Sequence, residues 1–254
     1  NFLVDRGVLE DIVRRAAIGA EDVVLEIGPG QGVLTRALLE RGCAHLHAVE
    51  LDERLRPHLE GLASREPRLS LHWGDALRLD CGALSPFPRK VVANIPYNIT
   101  TPLIWSLLRL GARGLRHHLY MVQKEAADTK ERYPLGVALE VMGTVERVRR
   151  VPPSCFRPRP RVDSEVIEIV LSRNFHLMED GLWSGLLHRA FAQRRKTLFN
   201  NLRGFEGLED WEGRLREAGI DPRSRAEDLE GEAWLSLYGA LRTRLGVPSS
   251  SGSA

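Results

Sequence analysis

Seven consecutive residues, Glu26-Ile27-Gly28-Pro29-Gly30-Gln31-Gly32, set an acidic side chain before three alternating glycines. Glycines let the backbone approach a ligand closely, and a helix starting just after them would present N–H groups with no intrahelical partner. A dinucleotide-binding loop requires a sixth-position glycine, where this chain has Val33. About 20 residues further on comes Glu50, followed by Asp52. In α/β sheets an acidic residue at that distance takes the two ribose hydroxyls, for which a carboxylate has enough lone pairs. Asp52 competes for this role, although capping the next helix explains it better. Gly74-Asp75-Ala76 adds a second acid that can accept a hydrogen bond from an exocyclic amine.

The acidic-x-Gly-x-Gly-x-Gly order is the one carried by S-adenosylmethionine enzymes, whose ligand has no pyrophosphate and presents an amino acid and a ribose. Asn94-Ile95-Pro96-Tyr97 supplies matching acceptor chemistry. The amine of adenine is a poor nucleophile because its lone pair is delocalised into the ring. Two acceptors gripping its N–H groups pull the nitrogen toward a tetrahedral shape. The Asn94 side-chain oxygen and a backbone carbonyl near Ile95 or Pro96 can be that pair. Proline fixes the turn, and Tyr97 offers a flat face for stacking. The expected reaction is in-line methyl transfer driven by positioning and electrostatics, on a base taken out of its stack.

These residues must be brought together by a scaffold. The spacing predicts helices over Val8 to Ala17, Val33 to Leu39, Glu53 to Leu62 and Pro102 to Leu110. Strands are predicted over Val23 to Ile27, Leu46 to Val49, Leu69 to Trp73, Lys90 to Ala93, Leu119 to Val122 and Val166 to Leu171. Such alternation implies a mostly parallel sheet covered on both faces. After about Val151, the closely spaced Pro152, Pro153, Pro158 and Pro160 rule out a helix, so an extended segment is expected there. The remainder reads as helices over Leu182 to Ala192, Arg195 to Leu202, Leu208 to Ala218 and Glu232 to Leu245. The expected organisation is a Rossmann-like methyltransferase domain over residues 1–173, a small helical domain over 174–247, and a flexible tail over 248–254.

With 43% hydrophobic and 28% charged residues and a net charge of +2, the 254-residue chain reads as globular, and its total charge points to no polyanionic partner. The distribution of charge does. Glu146 to Arg203 holds twelve Lys/Arg against six Asp/Glu, which suggests a face that meets phosphates. Cys43, Cys81 and Cys155 are widely separated, which argues against a disulfide framework or zinc site and fits a reducing compartment. The histidines have no metal-ligand spacing, so no metal is expected. No apolar run approaches the roughly 18 residues of a membrane span, and no secretory signal is visible. A cytoplasmic monomer without membrane contact is expected. Because the chain opens on Asn1 rather than Met, a missing N-terminal piece is expected.

Taken together, the motifs resemble the ribosomal RNA adenine dimethyltransferases of the kasugamycin-resistance type, from Asn1 to about Leu237. The matching segments are Asn1 to Asp5, Glu26 to Gly32, Gly74 to Ala76, Asn94 to Tyr97, Gln123-Lys124-Glu125, Phe156 to Ser164 and Phe191 to Leu202. The resemblance implies that Asn1, Leu3, Gly28, Gly30, Glu50, Asp75, Ala76 and Asn94 line an S-adenosylmethionine site. It implies that Asn94, Ile95, Pro96 and Tyr97 hold the target adenine, with Phe156 packed against it. The implied substrate is a pair of adjacent adenosines near the 3′ end of small-subunit ribosomal RNA, each dimethylated within an immature subunit. Arg157, Arg159 and Arg161 on a proline-stiffened segment, and Arg194, Arg195 and Lys196 opening a helix, are the expected phosphate contacts. Two alternatives stay open: a large-subunit methylase of the antibiotic-resistance type, and an assembly factor whose methylation is dispensable. The chain departs from the family in the short Arg132-Tyr133-Pro134-Leu135-Gly136-Val137 stretch after Glu125, and in lacking the basic lead before Asn1. In the family that lead helps close the site, so slow turnover with cofactor binding retained is expected.

Overall fold

The computed structural model describes residues 2–124 and 133–246, and of Tyr97 the backbone alone. Asn1, Glu125, Arg132 and the 248–254 tail, on which expectations were placed, lie outside the described residues. The chain divides into two compact units: Asn1–Asp128 with Thr144–Leu171, and Thr129–Gly143 with Ser172–Ala254.

In the first unit a short strand β1 (Phe2–Leu3) leads into α1 (Arg6–Arg15). Asp5 accepts the Val8 N–H at 2.9 Å, which starts α1 two residues before its apolar spacing begins. There follow β2 (Val23–Ile27), α2 (Val33–Glu40), β3 (His45–Glu50), α3 (Arg56–Ala63), β4 (Leu69–Trp73), β5 (Lys90–Asn94), α4 (Thr100–Leu108) and β6 (His117–Gln123). The helix expected over Glu53 to Leu62 is split. Glu53–Leu55 is a 3-10 turn, and α3 begins at Arg56 because Pro57 supplies no N–H to a longer ladder.

Helix α5 (Pro134–Met142), in the second unit, precedes β7 (Gly143–Val151), and neither was predicted from the spacing. The proline-rich segment holds one 3-10 turn, Pro153–Cys155, and then β8 (Phe156–Arg157). Strand β8 pairs antiparallel with β1, matching Phe2 to Arg157 and Leu3 to Phe156. Strand β9 (Ser164–Leu171) completes a seven-stranded sheet of order β4-β3-β2-β5-β6-β9-β7 among the described residues. The β2–β3, β3–β4, β2–β5 and β5–β6 pairs are parallel, and β6–β9 is antiparallel. Central strands such as Val23–Ile27 are buried along nearly their whole length, as in sheets covered on both faces. Val8, Ile12 and Val13 of α1 join Leu38 and Leu39 of α2 on Val24, Leu46, Ala48 and Val92 of the sheet. The chain builds β3 and β4 to one side of β2, then β5 and β6 to the other. This reversal opens a crevice at the carboxyl ends of β2 and β5, where sheets of this kind bind ligands.

The second unit also contains α6 (Gly181–Ala190), α7 (Leu198–Leu202), α8 (Trp211–Glu217) and α9 (Gly231–Leu245). Its interior is aromatic. Trp183 meets Tyr238 edge-on, and Phe191 stacks on Trp234. The helix expected from Arg195 begins instead at Leu198, capped by the Thr197 hydroxyl, which accepts the Asn200 N–H. Arg194, Arg195 and Lys196 therefore precede the helix in a turn rather than opening it. Cations are unfavourable at the positive end of a helix dipole, and Thr197 is the residue type that starts one. No helix among the described residues is long and apolar enough to cross a membrane.

Candidate active site

A cavity of about 490 Å³ lies in the first unit at the sheet's switch point. Leu3, Gly28, Gly30, Glu50, Asn94, Ile95, Pro96 and Phe156 line it, all named as site residues from sequence. Phe2, Gln31 and Asn98 line it as well, and sequence reasoning did not single them out. Phe2 was legible only as a neighbour of Leu3, because its role depends on β1 folding back over the loop.

The glycine loop is held from two sides. Gly28 donates its N–H to the Val49 carbonyl at 2.9 Å. Gly30, at φ +59°, donates to Glu50 Oε2 at 3.0 Å. The other oxygen, Oε1, accepts the N–H groups of Leu51 and Asp52, both at 2.9 Å. Glu50 is 9% exposed, so its carboxylate is fixed by three backbone donors at the mouth of the cavity. A Cβ on Gly30 would lie 2.9 Å from the Phe2 ring, and one on Gly28 would lie 3.4 Å from the Asn94 carbonyl oxygen. The loop thus fits closely between the β1 ribbon and the end of β5. Gly32 caps α2 without a side chain, leaving first-turn N–H groups available. Asp52 caps the Glu53–Leu55 turn through the Arg54 N–H and pairs with the Arg54 guanidinium, in line with the helix-cap reading.

Beneath the loop, Glu26 is fully buried in β2. Neither of its oxygens, nor the neighbouring Thr35 hydroxyl, has a hydrogen-bond partner among the described residues. Burial pushes its carboxyl up to about 8; the Thr35 hydroxyl, near it but outside hydrogen-bonding geometry, offsets part of this, and the nearby Glu50 charge adds to it.

Asn94 ends β5 opposite Met121 of β6. Ile95 donates its N–H to the Met121 carbonyl, and the Pro96 carbonyl accepts the Ile99 N–H at 3.1 Å, closing the Tyr97–Ile99 turn. Phe156 is buried against the cavity through its pairing with Leu3. Asp75 and Ala76 follow β4, whose last residue, Trp73, pairs with Glu50, but they are not among the cavity's lining residues. The Asp75 carboxylate accepts the Leu77 N–H at 2.9 Å within its own turn. Arg157, Arg159 and Arg161 are exposed and make no ion pair among the described residues. In the second unit Arg195 and Lys196 are exposed, whereas Arg194 bonds to the Tyr133 hydroxyl and lies 3.7 Å from Glu227. Other members of the basic run are paired, Arg147 with Glu165, Arg149 with Asp11 and Arg150 with Asp163, so its charge count overstates the cations open to phosphate.

A parallel-dominated sheet with this strand order, carrying a glycine loop, a strand-end acid and an Asn-x-Pro-Tyr turn around one cavity, is a Rossmann-like methyltransferase. The ribosomal RNA adenine dimethylase model matches residues 1–242. The ribosomal RNA small subunit methyltransferase A of Chromobacterium violaceum is 39% identical, over 96% of this chain and 94% of that one. Its counterpart from Laribacter hongkongensis is 42% identical, over 90% and 88%. Among solved structures, a dimethyladenosine transferase from Plasmodium falciparum superposes with a TM-score of 0.81 at 25% identity, covering 97% and 98% of the two chains. The 23S rRNA methyltransferase ErmE gives 0.70 at 26%, covering 95% and 99%. The chain belongs to the ribosomal RNA adenine dimethylase family and is an enzyme of that class.

Proposed function

We propose that this enzyme uses S-adenosylmethionine to dimethylate N6 of two adjacent adenosines near the 3′ end of small-subunit ribosomal RNA, within the immature subunit in the cytoplasm. The observation that carries the reading is one cavity joining the glycine loop and Glu50 to Asn94 and Phe156. The residues fit the cofactor. Glu50 keeps lone pairs beyond the three backbone donors it accepts, enough for ribose hydroxyls. The uncapped start of α2 suits a carboxylate, and only glycine leaves room at Gly30. Leu3 lines the cavity, and Asn1, Asp75 and Ala76 are further cofactor residues only by the family resemblance.

When bound, S-adenosylmethionine supplies an electrophilic methyl group. The chain supplies position. The Asn94 side-chain oxygen accepts one N6 hydrogen of the adenine. The Ile95 carbonyl takes the other, since the Pro96 carbonyl already serves the Ile99 N–H. Phe156 of the cavity lining packs against the unstacked base, and Tyr97 is assigned to stack on it by its residue type in the Asn-Ile-Pro-Tyr motif. Arg157, Arg159 and Arg161 in one unit, and Arg195 and Lys196 in the other, bind RNA phosphates. No covalent enzyme intermediate is needed, so orientation and electrostatics account for the rate.

The test is transfer from labelled S-adenosylmethionine to immature small subunits lacking the modification, with nucleosides identified by mass spectrometry. Two neighbouring dimethyladenosines, lost in Asn94→Ala, are the expected result. Transfer to large-subunit RNA alone would overturn the substrate assignment.

A further inference from the structure

The turn before α7 and the residue before α5 together form a feature that methyl transfer does not use. Tyr133 is 44% exposed, large for an aromatic side chain that leads directly into a helix. Its ring is fixed rather than loose. The Arg194 guanidinium lies 5.1 Å from the ring centroid, and Nη1 donates to the Tyr133 hydroxyl at 3.2 Å. Arg194 is in turn oriented by Glu227 at 3.7 Å, which also faces Arg225 at 3.7 Å. The two residues after Arg194 in the same turn, Arg195 and Lys196, are exposed cations.

An ordered, solvent-facing ring beside cations is what proteins use to hold an unstacked nucleobase. The base gains a π-face, the flanking phosphates gain charge partners, and a guanidinium on the ring strengthens the stack. The geometry points to Tyr133 as a base-stacking platform for a single-stranded nucleotide of the RNA substrate, outside the methyl-transfer cavity, with Arg194 as the residue that positions the ring and Arg195 and Lys196 as its phosphate contacts. This rests on the reading that the enzyme's substrate is RNA. Stacking tolerates any base, so the site selects for an unpaired nucleotide rather than for a sequence.

Three proteins separate this role from a purely structural one: the unaltered chain, Tyr133→Phe and Tyr133→Ala. Each is titrated with a short single-stranded oligoadenylate over a range of salt, after thermal melting has confirmed that it is folded. Tyr133→Ala should bind about tenfold more weakly with an unchanged salt slope, because a lost stack releases no counterions. Tyr133→Phe should retain most of the affinity, since it keeps the ring and loses only the hydroxyl. Duplex RNA, whose bases are already stacked, should bind both variants as it binds the unaltered chain. Equal affinity of folded Tyr133→Ala for the oligoadenylate would overturn the platform while leaving RNA as substrate. A fall in affinity carried by the salt slope would overturn it in favour of a purely electrostatic surface. Failure of the unaltered chain to bind any RNA would overturn the substrate reading and the platform with it.

Discussion

The Gly30 N–H donates to Glu50 Oε2 at 3.0 Å, tying the turn after β2 to the acid that ends β3. One carboxylate therefore shapes the loop and faces the ligand. Glu50→Ala removes three backbone hydrogen bonds to a charged group, each of a kind worth about 1.5–3 kcal/mol. Cofactor affinity should fall by at least about tenfold, with a lower melting temperature. Glu50→Gln, which keeps the shape and one acceptor oxygen, should fall in between. Calorimetry giving the original affinity for Glu50→Ala would remove Glu50 from the cofactor site.

Gly30 carries a second constraint, from Phe2. At φ +59°, with the Phe2 ring 2.9 Å from any Cβ, Gly30→Ala meets both backbone strain and a clash. The strain alone costs about 1–2 kcal/mol. The clash acts through β1, which is paired only over Phe2 and Leu3. Cofactor affinity should drop in Gly30→Ala and recover in part when Phe2→Ala is added, because the double variant keeps the strain and loses the clash. Additive losses in that double-mutant cycle would show that the ring and the loop act independently.

The two arginines of the 194–196 turn should behave differently, because only one is engaged by its own unit. Arg195→Ala should lower the salt dependence of RNA binding by about one phosphate contact. Arg194→Ala should change that slope less, since its guanidinium already serves Tyr133 and Glu227. Binding isotherms over a salt series decide this, and equal slopes for the two variants would contradict the division of roles.

What the sequence made legible was local. The loop at Gly28 to Gly32, Glu50 at a strand end and Asn94 at the next switch-point strand were readable because glycine spacing and short apolar runs mark strand ends directly. Pairing across long separations was not readable. Nothing around Phe2 shows that it will lie against Arg157 and Gly30, since a two-residue strand has no periodicity. Helix α5 escaped for a different reason. Val137, Ala138, Leu139, Val141 and Met142 are all buried, so it presents no polar face for a helical pattern to show. The cations at 194–196 were placed in a helix because the apolar spacing runs through them, while the Thr197 cap that sets the boundary is a single side chain. Asp75 was readable as the residue after a strand, but its carboxylate's bond to Leu77 was not.

Glu26 makes the enzyme's stability depend on pH in the direction opposite to most acids. Its carboxyl is pushed up to about 8 by burial first, with the Thr35 hydroxyl opposing and the Glu50 charge adding. A group whose pKa is raised on folding contributes its stability fully below the unfolded value and loses it as pH rises toward the folded one. The folded protein therefore holds a neutral Glu26 acid at neutral pH, and stability falls between about pH 4.5 and about pH 8. The full difference is on the order of 5 kcal/mol before water entry relieves it. Glu26→Gln, neutral at every pH and nearly the same shape, should flatten this part of the stability curve and melt higher than the unaltered chain at pH 8. At pH 5 the two should melt close together. Glu50→Gln removes the neighbouring charge that raises the Glu26 carboxyl, so the decline should end at lower pH and be smaller, because ionising Glu26 in the folded protein then costs less. Denaturant melts of the three proteins across this range measure the effect, and parallel curves for Glu26→Gln and the unaltered chain would show that Glu26 ionises freely in the folded state.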